Sequence, residues 1–239
     1  MKRIALIVGS SGSLGSELIK KYLDNDYTVY ALYNSHKISI YNKKLMPLKY
    51  DLTVEKKFLE LKKELKGHVN SDSQVSIIYA PGIYYKVDIE NYNEEELFNN
   101  IKINVTGFLN IYKSIFEYLK ESKITNIVLI GSNLLERKNI GSLYYVLSKG
   151  MQTQLVKQLA YEHGKYNILF NQISPGMFIS NMNSNMDNEK IEKIENNIPI
   201  KRIGTANEIA NFIYEFTSTN TLITGEEIVM DGGNTIGYW

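Results

Sequence analysis

Apolar positions along the chain fall into two alternating patterns. Short apolar runs at 3–8, 28–33, 45–50, 75–79, 127–130, 167–173 and 227–230 read as strands. Between them, apolar residues return every three or four positions with polar residues interspersed. Leu14, Leu18, Ile19, Tyr22 and Leu23 form one such stripe, and Leu97, Ile101, Val105, Phe108, Leu109, Ile111, Tyr112 and Ile115 another. These stripes predict helices that turn one face to a core. Strands and helices taken in turn predict a doubly wound α/β fold, a seven-stranded parallel sheet with helices on both faces. Ligands of such sheets lie beyond the carboxyl ends of the strands, so the segments that follow each run are where chemistry is sought.

Composition narrows the classes. With 239 residues, 44% apolar, the chain is expected to form one domain spanning 1–239. Basic and acidic residues number 27 and 26, and only Arg3, Arg137 and Arg202 are arginines. This balance argues against a nucleic-acid partner. The absence of cysteine excludes a disulfide framework, a thiolate zinc site and a cysteine nucleophile. The apolar run after Met1-Lys2-Arg3 is too short for a secretory signal, and no stretch approaches a membrane span, so a cytoplasmic location is expected.

The first strand runs into Gly9-Ser10-Ser11-Gly12-Ser13-Leu14-Gly15, and the first helical stripe begins near Ser13. Glycine lets a phosphate approach the backbone, while the helix N-terminus supplies unpaired N–H groups. A tight strand-to-helix turn also asks for glycine on steric grounds alone. Ser16 and Glu17 follow Gly15 where a nucleoside-triphosphate loop needs Lys and then Ser or Thr, which leaves a dinucleotide as the fitting ligand. At the end of the second strand stand Leu32-Tyr33-Asn34-Ser35-His36-Lys37, with no carboxylate to bind an NAD ribose. Asn34, Ser35 and the Lys37 cation instead favour NADP(H) over NAD(H).

Tyr145 and Lys149 are four residues apart on a helical pattern and share one face. In a chain with 18 tyrosines that spacing arises readily by chance. Ser132 changes the weighing, because it directly follows the fifth apolar run and would sit at the same rim of the sheet. A hydroxyl, a phenol and an ammonium group then converge near the mouth of the glycine loop. His36, His68 and His163 are too scattered to suggest a metal site, and His163 with Gly164 reads as a helix end.

Over residues 3–233 these motifs, in this order, resemble a single-domain short-chain dehydrogenase/reductase of the Rossmann type. The glycine loop is followed by Asp51-Leu52, matching the family's adenine-contacting pair, and by Tyr79-Ala80-Pro81-Gly82 where the family has Asn-Asn-Ala-Gly. Asn104 matches the active-site asparagine, and Ser132, Tyr145 and Lys149 match the catalytic residues. Pro175, Gly176, Phe178 and Ser180 stand where the family contacts nicotinamide. The endings Ile198-Pro199-Ile200-Lys201-Arg202-Ile203-Gly204, Glu208-Ile209-Ala210, Thr224-Gly225 and Asp231-Gly232-Gly233 also look like the family.

Two departures stand out. Ser13 replaces a glycine, with Gly12 where a basic residue is common, and Tyr79-Ala80-Pro81 replaces side chains that brace the central strands.

The resemblance implies reduction of a ketone, small or carried as a 3-oxoacyl thioester on an acyl carrier. Tyr145 would be the proton donor, favoured as phenolate by the Lys149 charge. Ser132 would bond the substrate oxygen, and Asn104 would hold a water in the proton relay. No metal is implied. Leu134, Tyr144 and Met177 would face substrate, and the polar segment 181–199, with Met182 and Met186, would form a lid. The family also implies a homotetramer or homodimer packed through helices near 104–119 and 145–162. A nucleotide-sugar epimerase or dehydratase shares the Tyr and Lys pair and often a loop spaced like Gly9, Gly12 and Gly15, but those enzymes usually add a substrate domain. A non-catalytic, cofactor-sensing protein on the same fold is the third alternative, and it would not need all three active-site side chains.

Overall fold

A computed structural model describes residues 1–54, 57–137, 139–180 and 186–236. In chain order its elements are β1 (Lys2–Val8), α1 (Ser13–Asp24), β2 (Thr28–Tyr33), β3 (Leu45–Lys49), α2 (Lys57–Leu65), β4 (Ser73–Tyr79), α3 (Glu94–Ile101) and α4 (Gly107–Leu119). There follow β5 (Ile124–Ile130), α5 (Leu143–His163), β6 (Ile168–Pro175), β7 (Phe178–Ile179), α6 (Asn188–Asn196), β8 (Gly204–Thr205), α7 (Ala206–Thr219) and β9 (Glu227–Met230). Seven strands form one parallel sheet in the order β3-β2-β1-β4-β5-β6-β9, and β7 pairs with β8 in a separate parallel ribbon. All seven apolar runs are strands of the large sheet. The two-residue strands β7 and β8 are too short to leave a periodic signal.

Alternation along each strand divides the core in two. Ile4, Leu6 and Val8 of β1 join Ile77, Tyr79, Phe108, Ile111 and Phe170 on one face, beneath α2, α4 and α5. Ala5 and Ile7 join Leu18, Ile19, Tyr22 and Ile213 on the other, beneath α1 and α7. This is the two-sided burial that a parallel sheet requires. Register sets the strand ends level: Val8 lies beside Leu32 and Tyr79, Tyr79 beside Leu129, and Ile130 beside Ile173. The carboxyl ends of the central strands therefore make one rim, and the strand order reverses there between β1 and β4.

The predicted stripe from 97 to 115 is helical throughout but not uniform. Between α3 and α4, Lys102–Thr106 widens into a π-helical turn, a form that often marks functional sites. Within that turn the carbonyl of Ile103 accepts a hydrogen bond from the Tyr79 hydroxyl. Tyr79 is fully buried and packs its ring edge-on to Phe108, so the expected loss of bracing at Tyr79-Ala80-Pro81 is corrected. The tyrosine itself ties the end of β4 to the helix behind it.

Candidate active site

A crevice of about 540 Å³ opens at the rim where the strand order reverses. Its inner wall is the glycine loop. Gly9 and Ser10 donate their N–H groups to the Leu32 carbonyl, which also accepts from the Ser10 hydroxyl, so the loop is fastened to the end of β2. Gly9 has φ +79°, and a Cβ there would stand 3.0 Å from Pro81 N. A Cβ at Gly15 would lie 2.6 Å from Ser10 Cα. The fold thus demands glycine at both positions. Gly12 is different, because a Cβ there would meet only the Gly9 carbonyl oxygen at 3.5 Å. The N-cap of α1 is Gly12, which has no side chain to cap the helix, and this end opens between Gly12 and Gly15 toward the crevice and suits an anion. Ser11, Ser13 and Leu14 line the same wall, as expected.

Toward β2 the wall is made by Tyr33, Asn34 and Ser35. His36 and Lys37, exposed in the following loop, are not part of it, so the sequence-based place for the Lys37 cation is corrected to the solvent side. Asp51 and Leu52 close this end. Asp51 Oδ1 accepts from the Thr53 N–H at 2.8 Å and from its hydroxyl at 2.7 Å, and these bonds hold the carboxyl below its usual range. Thr53 was not singled out in the sequence. Its place two residues after the aspartate is the signature of a side-chain-stabilised turn. Ala80, Pro81 and Gly82 form the floor, and Pro175, Gly176, Met177, Phe178 and Ser180 the side beyond β6.

Ser132, Tyr145 and Lys149 meet in this crevice. Ser132 follows β5 by two residues and is held by the Leu134 N–H, which donates to its Oγ at 3.2 Å. The nearby Ser132 hydroxyl works to lower the Tyr145 pKa, but burial wins and the phenol stands above its ordinary value. Lys149 is 2% exposed, and its Nζ donates to the Ile130 carbonyl at 2.6 Å. Burial lowers its pKa to about 7. Nζ lies 5.6 Å from the Tyr145 ring centroid. The expectation that Lys149 favours the phenolate is therefore corrected for this structure: desolvation pushes each group toward its neutral form.

Asn104 stands one layer back, fully buried in the π-helical turn, rather than in the crevice wall. Its Nδ2 donates to Asn100 Oδ1 at 2.7 Å and to Ser148 Oγ at 2.8 Å, while Gln152 Nε2 donates to its backbone carbonyl at 2.5 Å. Asn104 Oδ1 is buried without a hydrogen-bond partner in the protein. A Cβ at Gly82 would lie 3.9 Å from that oxygen and 3.7 Å from Lys149 Nζ, so the two polar groups flank the same small space over Gly82.

Two expected substrate-facing residues are corrected. Tyr144 is fully buried on the side of α5 turned from the crevice, where its ring meets Tyr92 and its hydroxyl accepts from the Asn93 N–H. Leu134 lies in the single 3₁₀ turn after Ser132 and does not line the crevice. Met177 does. Sequence reading passed over Tyr84, whose ring stands edge-on to Tyr145. Of the expected lid, residues 181–185, Met182 among them, lie outside the described residues. Among the described residues no helix is long and apolar enough to cross a membrane.

Residues 13–235 match the family described as enoyl-(acyl carrier protein) reductase. Over 240 residues the chain is 27% identical to the 3-oxoacyl-[acyl-carrier-protein] reductase FabG of Buchnera aphidicola subsp. Baizongia pistaciae, covering 97% of each protein. Against the FabG of Buchnera aphidicola subsp. Schizaphis graminum the identity is 35% over 142 residues, which span 59% of this chain and 58% of that protein. Among solved structures, a 4-hydroxyisoleucine dehydrogenase mutant complexed with NADH and succinate superposes with a TM-score of 0.86 at 25% identity, covering 98% of this chain and 99% of that one.

Proposed function

The chain belongs to the short-chain dehydrogenase/reductase family of oxidoreductases, and from that membership we propose that it reduces a ketone, of the 3-oxoacyl thioester class, to a secondary alcohol with NADP(H). One observation carries this reading: the Ser132 hydroxyl, the Tyr145 phenol and the buried Lys149 side chain line the same crevice as the glycine loop. A reduced nicotinamide cofactor, when bound, would supply the hydride for the carbonyl carbon. Tyr145 gives its phenolic proton to the carbonyl oxygen, and Ser132 donates a hydrogen bond to that oxygen, a preorganised contact of a kind that contributes ~3 kcal/mol to a transition state. Lys149 replenishes the proton and would hold the ribose of the bound cofactor. Asn104, through its unpartnered Oδ1, holds a water beside Lys149 over Gly82.

The residues present fit a dinucleotide. The open space at Gly12 and the uncapped α1 N-terminus suit a pyrophosphate, with Gly9, Ser11, Ser13, Leu14 and Gly15 around it. Asp51 and Leu52 take the adenine, Ala80, Pro81 and Gly82 the ribose that follows, and Pro175, Gly176, Phe178 and Ser180 the nicotinamide. NADP(H) is preferred because Tyr33, Asn34 and Ser35 offer no carboxylate at the end of β2 to repel a 2′-phosphate. The dehydrogenase neighbour holds NADH, so the preference rests on this chain's own residues. Met177 is the substrate contact in the crevice wall. A lid over the substrate includes α6, which buries none of its residues. Assembly into a dimer or tetramer through the helices near 104–119 and 145–162 is supported by partly exposed Leu147 and Met151 on α5. The proposed compartment is the cytoplasm.

The test is NADPH oxidation with an acetoacetyl thioester by wild type and Tyr145→Phe, with NADPH and NADH titrated side by side. Turnover lost by about 10²–10⁴-fold with NADPH binding retained is expected. Equal rates in the two proteins overturn the assignment, and tighter NADH binding overturns the cofactor preference.

A further inference from the structure

Resting on the reading of Tyr145 as the proton donor, we infer that Tyr84 is a positioning residue that holds the Tyr145 ring against swinging away from Ser132. The two rings meet edge to face, with centroids 5.6 Å apart and planes at 70°. At its far end the Tyr84 hydroxyl shares a hydrogen bond with Ser142 Oγ at 3.1 Å. Ser142 is 2% exposed and is the N-cap residue of α5, the helix that carries Tyr145 three positions later. Tyr84 is thus fixed to the start of the helix whose side chain it braces.

The surrounding chain holds this arrangement rigid. Val87 donates its N–H to the Gly141 carbonyl at 2.9 Å, and Val87 and Ser142 form an isolated parallel bridge. Gly141 has φ +84°, and a Cβ there would lie 2.9 Å from Lys86 Cγ, so the two loops touch where only glycine fits. Gly82, two residues before Tyr84, lies in the crevice floor near Lys149.

A phenol bonded at its oxygen alone still pivots about its side-chain torsions. Ser132 lines the same crevice as the phenol, and an aromatic edge against the ring restrains its side-chain torsions. Proton transfer is sensitive to that geometry, since small misplacements of a reacting group cost large rate factors. The ring is therefore the working part of Tyr84, and its hydroxyl is the tether. Burial raises the Tyr145 pKa, and the Tyr84 ring packs against the Tyr145 ring.

The experiment compares wild type with Tyr84→Phe, Tyr84→Leu and Tyr84→Ala, using an acetoacetyl thioester and NADPH across pH. The ionisation of Tyr145 is read separately, as the phenolate absorbance of each protein minus that of the same protein carrying Tyr145→Phe. Tyr84→Leu and Tyr84→Ala are expected to lose about tenfold in kcat with KM for NADPH little changed. Their Tyr145 ionisation moves down as water reaches the phenol. Tyr84→Phe keeps the ring contact and stays near wild type in both measurements. Wild-type values in Tyr84→Leu overturn the inference, as does a loss in Tyr84→Phe equal to that in Tyr84→Leu. Leucine preserves bulk if alanine unfolds the loop. Should wild type turn over no carbonyl probe, the ketone reading fails while the absorbance titration still decides the role of Tyr84.

Discussion

The Tyr79 hydroxyl occupies the space that a side chain at Gly107 would fill: a Cβ built on Gly107 stands 2.7 Å from that oxygen. The same hydroxyl donates to the Ile103 carbonyl in the π-helical turn that carries Asn104. A tyrosine at the end of β4 and a glycine at the start of α4 are therefore one device. Gly107→Ala is expected to cost ~1–3 kcal/mol by overpacking, and Tyr79→Phe ~0.5–1.5 kcal/mol by losing the part-buried hydrogen bond to the Ile103 carbonyl. Because the phenylalanine vacates the space that the methyl group needs, the double variant should lose less than the two single losses together. Urea denaturation of the four proteins measures this, and additive losses would show that the two positions are independent.

The glycine loop separates fold from ligand in the same way. Gly15 has no room for a Cβ, since Ser10 Cα would be 2.6 Å away, so Gly15→Ala should lower the melting temperature clearly. Gly12 has φ −74°, which any residue adopts, and only a 3.5 Å contact waits for a Cβ there. Gly12→Ala should melt like wild type yet bind NADPH about tenfold more weakly, because the methyl group enters the space left for the pyrophosphate. One tenfold step is ~1.4 kcal/mol of binding. Unchanged NADPH affinity in a normally melting Gly12→Ala protein would deny the loop its role.

The sequence carried the sheet well because every strand of it is long enough to leave an apolar run, and the turn residues after those runs stand at the rim. Ser132, Tyr145 and Lys149 were legible for the same reason: strand end and helical spacing fix their direction. Tyr144 was misread because adjacent helix residues point about 100° apart, and spacing alone does not say which of two neighbouring tyrosines faces the crevice. The buried hydroxyl contact of Tyr144 with Asn93 is a tertiary fact with no local signature. Tyr79 was read as a lost brace because its partner, the Ile103 carbonyl, lies in a π-helical turn that the apolar stripe conceals. Tyr84 left no signal, since its partners Ser142 and Tyr145 are about sixty residues away.

Glu208 gives an acid-side prediction. Arg202 donates two hydrogen bonds to its carboxylate, at 3.0 and 2.6 Å, and Thr205 donates its hydroxyl and N–H, each at 3.0 Å, completing a capping box at the start of α7. These contacts, Arg202 foremost, bring its pKa from 4.5 to about 2. A carboxyl depressed on folding contributes stability above its unfolded pKa and loses it as pH falls through 4.5 toward about 2. The site is exposed and screened, so the contribution is held to ~1 kcal/mol or less. Glu208→Gln should narrow its deficit relative to wild type across that interval, as read by urea midpoints. A deficit that stays constant would place the effect elsewhere.

Lys149 gives the opposite slope on the alkaline side. Its folded pKa of about 7 lies below the ordinary 10.5, because the ammonium is buried with one carbonyl, that of Ile130, to bond. Between those two values the unfolded chain holds a proton that the folded chain has released, so stability rises with pH across that interval. The burial penalty is complete below pH 7 and vanishes above 10.5. Lys149→Met removes the titrating group and leaves the Ile130 carbonyl unpaired, a loss that does not depend on pH. Wild type should therefore gain stability relative to Lys149→Met as pH is raised from neutral, in chemical denaturation of the cofactor-free proteins. Tyr145, the neighbouring titratable group, has its pKa raised by burial and stays protonated over most of that interval. Parallel curves for the two proteins would mean that Lys149 keeps its charge in the folded state, and that the nearby polar groups solvate it better than its burial implies.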